Sequence, residues 1–429
     1  MNTAQLKAQI DSGNFQQTFA WLYQERAAAQ PARYARALDQ FAKLFGAERQ
    51  VELFSAPGRS EVGGNHTDHQ RGRVLAAGIN LDVIAVASKN EEPVIRIQSE
   101  GFPMDTVDLR DLTVHPEESN QAISLIRGIA ARFQQLGLEI GGFDAYTTSN
   151  VLKGSGLSSS AAFETLVGVI LNCLYAGERA NAVQLAQISQ YAENVYFGKP
   201  CGLEDQMASS VGGLVSIDFQ DSERPVVQQV QVDFSRFGYR LCVVDTGGNH
   251  ADLTDDYAAM PQEMRSVAQV FGKQVLREVE PTEFYANLPQ VRAHCSDRAV
   301  LRAFHFFADN ERVPQQVAAL EQGDFERFKR LVIESGRSSF MYLQNVYTCK
   351  NPAEQGLSLG LAISERLLGG KGAWRVHGGG LAGTIQAFVP EKSLEEYRVA
   401  LEAVFGEGHC HVLSIRPVGG VRITSQTHA

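Results

Sequence analysis

Between Lys153 and Ala162 the chain reads Lys-Gly-Ser-Gly-Leu-Ser-Ser-Ser-Ala-Ala and runs straight into an apolar helical pattern that lasts to about Tyr175. No other segment restricts the fold as strongly. Glycines let a backbone approach a ligand closely, and a helix that starts at such a loop aims its free N–H groups and positive dipole end into it. Gly154, Ser155, Gly156, Leu157, Ser158, Ser159 and Ser160 therefore read as a phosphate cradle, with serine hydroxyls able to add hydrogen bonds or bind Mg²⁺. No lysine follows the last glycine, so this is not the GxxxxGK[ST] loop. Taken alone, the segment is equally a serine-capped helix behind a flexible loop.

Two further segments carry polar chemistry. Ala56–Gln70 (APGRSEVGGNHTDHQ) is a dense polar stretch directly after a strand, suited to hydrogen-bonding a hydroxyl-rich ligand. Its rival readings are a solvated loop and a metal site made by His66, Asp68 and His69. Trp374–Thr384 (WRVHGGGLAGT) places consecutive glycines between apolar runs, as close backbone packing, ligand approach or a hairpin turn requires. His409-Cys410-His411 lacks standard ligand spacing and reads as an incidental surface cluster.

Length and charge bound what these segments can serve. The 429 residues suffice for two or three cores, and 44% apolar with 21% charged residues is an ordinary globular composition. A net charge of −10 disfavours general nucleic-acid binding, though local amides and a metal can still hold phosphates. No secretory signal or membrane-length apolar run is visible, and six scattered cysteines without a CxxC pair suggest reduced thiols and a cytoplasmic address. The pattern predicts two or three helices over the first ~45 residues and strands at 51–56, 83–88 and 93–98. Helices are predicted at about 121–136, 159–175 and 182–197, with further strands near 143–148, 213–219 and 239–245. Several helices between about 261 and 367 follow, then strands around the triple glycine and a terminal pair near 411–424. A boundary is expected in the polar QDSERP stretch, giving units 1–220 and 221–429. Strands and helices mix without strict alternation, which favours an α+β fold.

In this order the segments resemble the motifs of the GHMP kinases, and among them the galactokinases. The galactokinase stretch PGRVNLIGEHTDY reads here PGRSEVGGNHTDH, the loop GxGLSSSA reads GSGLSSSA, and TGGGFGG reads HGGGLAG. Gly198–Gln206 (GKPCGLEDQ) is similar to the consensus GxxCGIMDQ. The resemblance implies a two-domain GHMP kinase-type fold with the active site between the domains, ATP as co-substrate and Mg²⁺ as metal. It implies phosphorylation of a hexose at its anomeric hydroxyl, with Asp205 as catalytic base and Arg59 as its partner. Ser160 and Glu193 would hold Mg²⁺, and Asn65, His66, Asp68 and Tyr257 would face the sugar. Asn65 stands for the family glutamate, His69 for tyrosine and His377 for threonine. On this footing galactose is the expected substrate. Galacturonate is the alternative, because Asn65 would remove a carboxylate from the pocket, and a catalytically silent sugar-binding regulator is the alternative of another class. The sequence does not specify the oligomeric state.

Overall fold

A computed structural model of the chain describes residues 1–151, 156–248 and 253–426. Three helices open it: α1 (Thr3–Asp11), α2 (Gln16–Tyr23) and α3 (Gln30–Phe45). Asn2 caps α1 through a capping box, Pro31 opens α3 and Gly46 closes it at φ +101°. There follow β1 (Glu52–Gly63), β2 (Arg73–Lys89), β3 (Val94–Ser99), β4 (Met104–Asp108), α4 (Ala122–Gln135), β5 (Phe143–Ser149), α5 (Ser159–Leu174), α6 (Ala182–Tyr191), α7 (Glu204–Val211), β6 (Leu214–Asp218) and β7 (Val226–Val230). The second half runs β8 (Tyr239–Asp245), α8 (Thr254–Val270), α9 (Pro281–Ala286), α10 (Leu288–His294), α11 (Asp297–Glu321), α12 (Phe325–Ser338), α13 (Gly356–Leu368), β9 (Ala373–Val376), β10 (Thr384–Pro390), α14 (Leu394–Phe405), β11 (Cys410–Leu413) and β12 (Val421–Ile423).

The strands form two sheets. The larger runs β12-β1-β2-β5-β3-β4, with β6 pairing the first half of β2 and β7 pairing β6. The smaller runs β11-β8-β10-β9. Among the described pairs only β3 with β5 is parallel, so the fold is α+β, as expected. Because side chains alternate along a strand, β1 and β2 are apolar on both faces. Leu53, Ile84 and Val86 pack under α1–α3, while Phe54, Ala85 and Ala87 pack in the core shared with α4 and α5. Ile126, Ile129 and Phe133 on α4 are fully buried in that core. Each such side chain contributes about 1.5–3 kcal/mol of transfer free energy.

Four sequence expectations change. The polar stretch after Ala56 is not a loop: β1 continues to Gly63, and every residue from Leu53 to Gly63 is buried. Its polar side chains are satisfied by other side chains rather than by water, which a single-strand pattern cannot reveal. The QDSERP stretch is the turn of the β6–β7 hairpin, so the sheet of the first half extends past residue 220 and also takes back the C-terminal β12. The expected terminal pair near 411–424 splits accordingly, β11 joining β8 and β12 joining β1. Cys410 is likewise not on the surface but buried on β11. Among the described residues no helix is long and apolar enough to cross a membrane.

Candidate active site

The site is built from β1. Its pairing with β2 shifts register between Pro57 and Arg59 and again between Glu61 and Gly63. Such bulges re-aim side chains, and between them Arg59 and Glu61 share one face. Arg59 reaches α7: its Nε donates to Asp205 Oδ1 at 2.7 Å and its Nη2 lies 2.6 Å from the same oxygen. The Ser158 hydroxyl donates to Asp205 Oδ2. Desolvation would raise the Asp205 carboxyl, but the Arg59 guanidinium and the Ser158 hydroxyl outweigh it and hold the group below the usual range. Asp205 is thus ionised and positioned, with 38% of its side chain still exposed.

The serine-rich loop lies against this pair. The Leu157 carbonyl accepts from the Arg59 N–H at 3.0 Å, and the Gly156 carbonyl accepts from Arg59 Nη1. Gly156 has φ +69°, and a Cβ there would come 2.6 Å from Thr384 Oγ1, so the position requires glycine. Ser158 precedes α5 in the left-handed region at φ 55° and makes no capping bond. Because its hydroxyl serves Asp205, Ser158 does not cap α5, no side chain among the described residues is seen on the first-turn amides, and Ser159 and Ser160 sit at that end. Gly154 and Ser155 lie outside the described residues.

The expectation that Asn65 faces the sugar is not met, because Asn65 is 0% exposed. Its Nδ2 donates to Glu61 Oε1 at 3.0 Å, to Glu61 Oε2 at 3.2 Å and to the Gly378 carbonyl at 2.7 Å. Its Oδ1 accepts from Ser339 Oγ at 3.1 Å and from Asn345 Nδ2 at 2.8 Å. Every donor and acceptor of the side chain is committed within the protein. Glu61 in turn pairs with the fully buried Arg375 at 2.6 Å. Burial raises the Glu61 carboxyl despite Arg375 and Arg59. His377 bridges the same strands. Its Nε2 accepts from the Glu61 N–H at 3.3 Å, so Nδ1–H donates to Thr384 Oγ1 at 2.9 Å. Gln386 Nε2 donates to Ser60 Oγ at 2.8 Å. Ser60, Glu61, Asn65 and His377, which read in sequence as separate departures from the motif, are one buried polar network.

Two of the expected sugar residues, His66 and Tyr257, meet at the glycine-rich loop, while Asp68 lies against Gly202. His66 Nε2–H donates to the Gly379 carbonyl at 3.0 Å, which leaves Nδ1 as an acceptor. Burial first, then His69, pushes the His66 imidazole down to about 4, so it is neutral near pH 7. The Tyr257 hydroxyl donates to Gly380 O at 2.7 Å, and its ring lies against Gly379. Asp68 accepts from the His69 N–H at 2.8 Å, and its Oδ2 abuts Gly202, where a Cβ would come within 1.7 Å. His66 and His69 stack at 5.8 Å, but no group of three His, Cys, Asp or Glu side chains among the described residues is arranged to hold a metal.

Glu193 sits where the helical stretch beyond α6 widens into a π-turn, Ala192–Phe197. Its Oε2 accepts from Gln206 Nε2 at 2.7 Å and its Oε1 pairs with Lys199 Nζ at 3.3 Å. The same Gln206 nitrogen reaches Glu164 Oε2 at 3.1 Å, while Glu164 Oε1 is buried without a partner among the described residues. Burial first, then the Glu193 charge, raises the Glu164 carboxyl well above its ordinary value. Sequence reasoning missed Glu61, Glu164, Lys199 and Arg375. For Glu164 the only available signal was a carboxylate on the otherwise apolar face of α5.

Residues 124–213 match the N-terminal domain of GHMP kinases, and residues 39–89 match the galactokinase galactose-binding signature. The mevalonate kinase of Methanococcus jannaschii superposes with a TM-score of 0.61 at 14% identity, over 86% of this chain and 99% of that one. These features define a GHMP kinase fold. The structure of Lactococcus lactis galactokinase complexed with galactose superposes with a TM-score of 0.78 at 24% identity, over 91% of this chain and all of the other. The galactokinases of Streptomyces coelicolor and Glaesserella parasuis are each 30% identical, over 86% and 84% of this chain and 92% and 90% of theirs. The chain belongs to the galactokinase family of sugar kinases.

Proposed function

We propose that the protein transfers the γ-phosphoryl group of ATP to the anomeric hydroxyl of galactose, giving galactose 1-phosphate and ADP. One arrangement carries the reading: an ionised Asp205, fixed by Arg59 and Ser158, beside a helix N-terminus that Ser158 does not cap. Phosphoryl transfer depends on positioning and charge neutralisation rather than covalent help. The α5 amides suit the phosphates. Asp205 orients the hydroxyl and takes its proton as the new P–O bond forms. His66 Nδ1, Asp68 and Tyr257 would surround the sugar. Both halves of the chain supply residues, which supports an active site between lobes of about 1–220 and 221–429, with β7 and β12 built into the first.

Mg²⁺ belongs to the same proposal. Ser160 and Glu193 offer only hard oxygen donors, and Mg²⁺ commonly takes one or two such protein ligands and keeps water for the rest. The metal would neutralise charge on the transferring phosphoryl group. The six cysteines are unpaired, which supports a reducing, cytoplasmic setting. Galacturonate loses its original motive, because Asn65 is sealed in the core and keeps Glu61 beside it. ADP release across hexoses and uronic acids tests the proposal. Galactose should give the highest kcat/KM, and no ADP above background with any sugar would instead indicate a silent binding protein.

A further inference from the structure

Gln206 stands directly after Asp205 in the first turn of α7. Neighbouring residues of a helix project about 100° apart, so this turn serves two sides. Asp205 reaches Arg59 and Ser158. Gln206, 0% exposed, reaches the π-turn that carries Glu193 and the helix that carries Glu164. Its Nε2 donates to Glu193 Oε2 at 2.7 Å and to Glu164 Oε2 at 3.1 Å. Its own Oε1 is buried without a partner among the described residues. Turning the amide over would set that oxygen against the Glu193 carboxylate, acceptor against acceptor. The side chain therefore leaves its carbonyl unpaired in order to aim its donor at Glu193, which is the explanation such an orphan needs.

The two oxygens of Glu193 are held unequally. Oε2 is fixed by the buried amide of Gln206. Oε1 pairs at 3.3 Å with Lys199 Nζ, on a side chain that is 62% exposed. An ion pair to an exposed lysine contributes little and exchanges easily. Oε1 can thus pass from the ammonium to another cation while Oε2 stays with Gln206. A metal ligand restrained through its second polar atom is oriented before the metal arrives.

We propose that Gln206 is a positioning residue for the metal: by holding Glu193 Oε2 it presents Oε1 to the Mg²⁺ that accompanies ATP, and it ties that ligand to the Asp205 turn. This rests on the sugar-kinase reading and the Mg²⁺ placement above.

The test compares wild type, Gln206→Met, Glu193→Gln, their double variant and Lys199→Met. ATP affinity is measured by calorimetry without sugar, with and without Mg²⁺, and the Mg²⁺ midpoint of ADP release is titrated at fixed ATP. Losing the partner behind a metal ligand costs about 10–100-fold in metal affinity. Gln206→Met should raise the Mg²⁺ midpoint about tenfold or more and shrink the Mg²⁺-dependent gain in ATP affinity. Metal-free ATP affinity and the galactose KM should stay within about twofold. In the Glu193→Gln background the same substitution should add less than about twofold, which a general loosening of the fold would not reproduce. Lys199→Met removes the competing cation and should enlarge the Mg²⁺-dependent gain. An unmoved midpoint in Gln206→Met, or an effect that persists undiminished without Glu193, overturns the clamp. An equal or smaller gain in Lys199→Met overturns the assignment of Oε1, even if Gln206→Met does not fold. If wild type depends on Mg²⁺ and Glu193→Gln leaves that dependence unchanged, the metal placement fails and this inference falls with it. If Glu193→Gln responds and Gln206→Met does not, Gln206 alone is wrongly assigned. If wild type turns over no hexose, the kinase reading itself fails.

Discussion

Replacing Asn65 by aspartate would set a second carboxyl against Glu61 in a site with no access to water. Asn65 Nδ2 lies 3.0 Å from Glu61 Oε1. Two full charges at that separation repel by about 5 kcal/mol at an effective dielectric of ~20. The variant can escape by keeping the new carboxyl protonated. At pH 7.5 that costs about 5 kcal/mol, since an aspartate of ordinary pKa ~3.9 is then some 3.6 units above its midpoint, at 1.36 kcal/mol per unit. At pH 5.5 the same step costs only about 2 kcal/mol. The sign follows from linkage: the folded-state pKa is raised, so the penalty is absent below the unfolded value near 4 and grows as pH rises toward the folded value. Loss of the bonds to Glu61 and the Gly378 carbonyl adds about 1–3 kcal/mol at either pH. Urea unfolding of Asn65→Asp and wild type at both pH values should therefore show a deficit about 3 kcal/mol larger at pH 7.5. An equal deficit at the two pH values, or wild-type stability throughout, would refute the buried Glu61–Asn65 network.

Further outcomes follow from the same geometry. Glu193→Gln and Ser160→Ala should each shift the Mg²⁺ titration of activity at fixed ATP to higher concentration, and the metal-dependent tightening of nucleotide binding should weaken in parallel. Identical Mg²⁺ dependence in both variants would place the metal elsewhere. Glu164 is a buried carboxyl with a raised folded pKa, so the stability it confers is present below its unfolded value near 4.5 and lost as pH rises through the folded value. Glu164→Gln should accordingly lose less stability than wild type between pH 6 and pH 9, by about 1 kcal/mol per pH unit below that folded value. Equal melting curves across the range would contradict it.

Much of the fold was legible because its signals are local. The apolar stripe of α4 and the run from Ser159 mark helices whose limits agree with the structure to within a residue. β1 was cut short because its second half is polar yet buried, and partners far along the chain help to satisfy it: Asp205 for Arg59, Arg375 for Glu61 and Gln386 for Ser60. The crossing of β12 into the first sheet is equally non-local. Within the site, the Arg59–Asp205 pair was expected from motifs because each residue sits in a short recognisable segment. Asn65 was misread because a motif position gives residue identity but not the direction of its side chain, and here a bulge after Glu61 and a glycine pair turn that side chain inward.

The central claim is that Asp205 accepts the proton of the attacking hydroxyl, and Asp205→Asn tests it most directly, since the amide keeps the shape and removes the basicity. The measurement is kcat for ADP release at saturating galactose and ATP, with galactose affinity determined separately by calorimetry. The account predicts a loss of about 10²–10⁴-fold in kcat with galactose binding largely retained. Turnover equal to wild type, with binding intact, would contradict it.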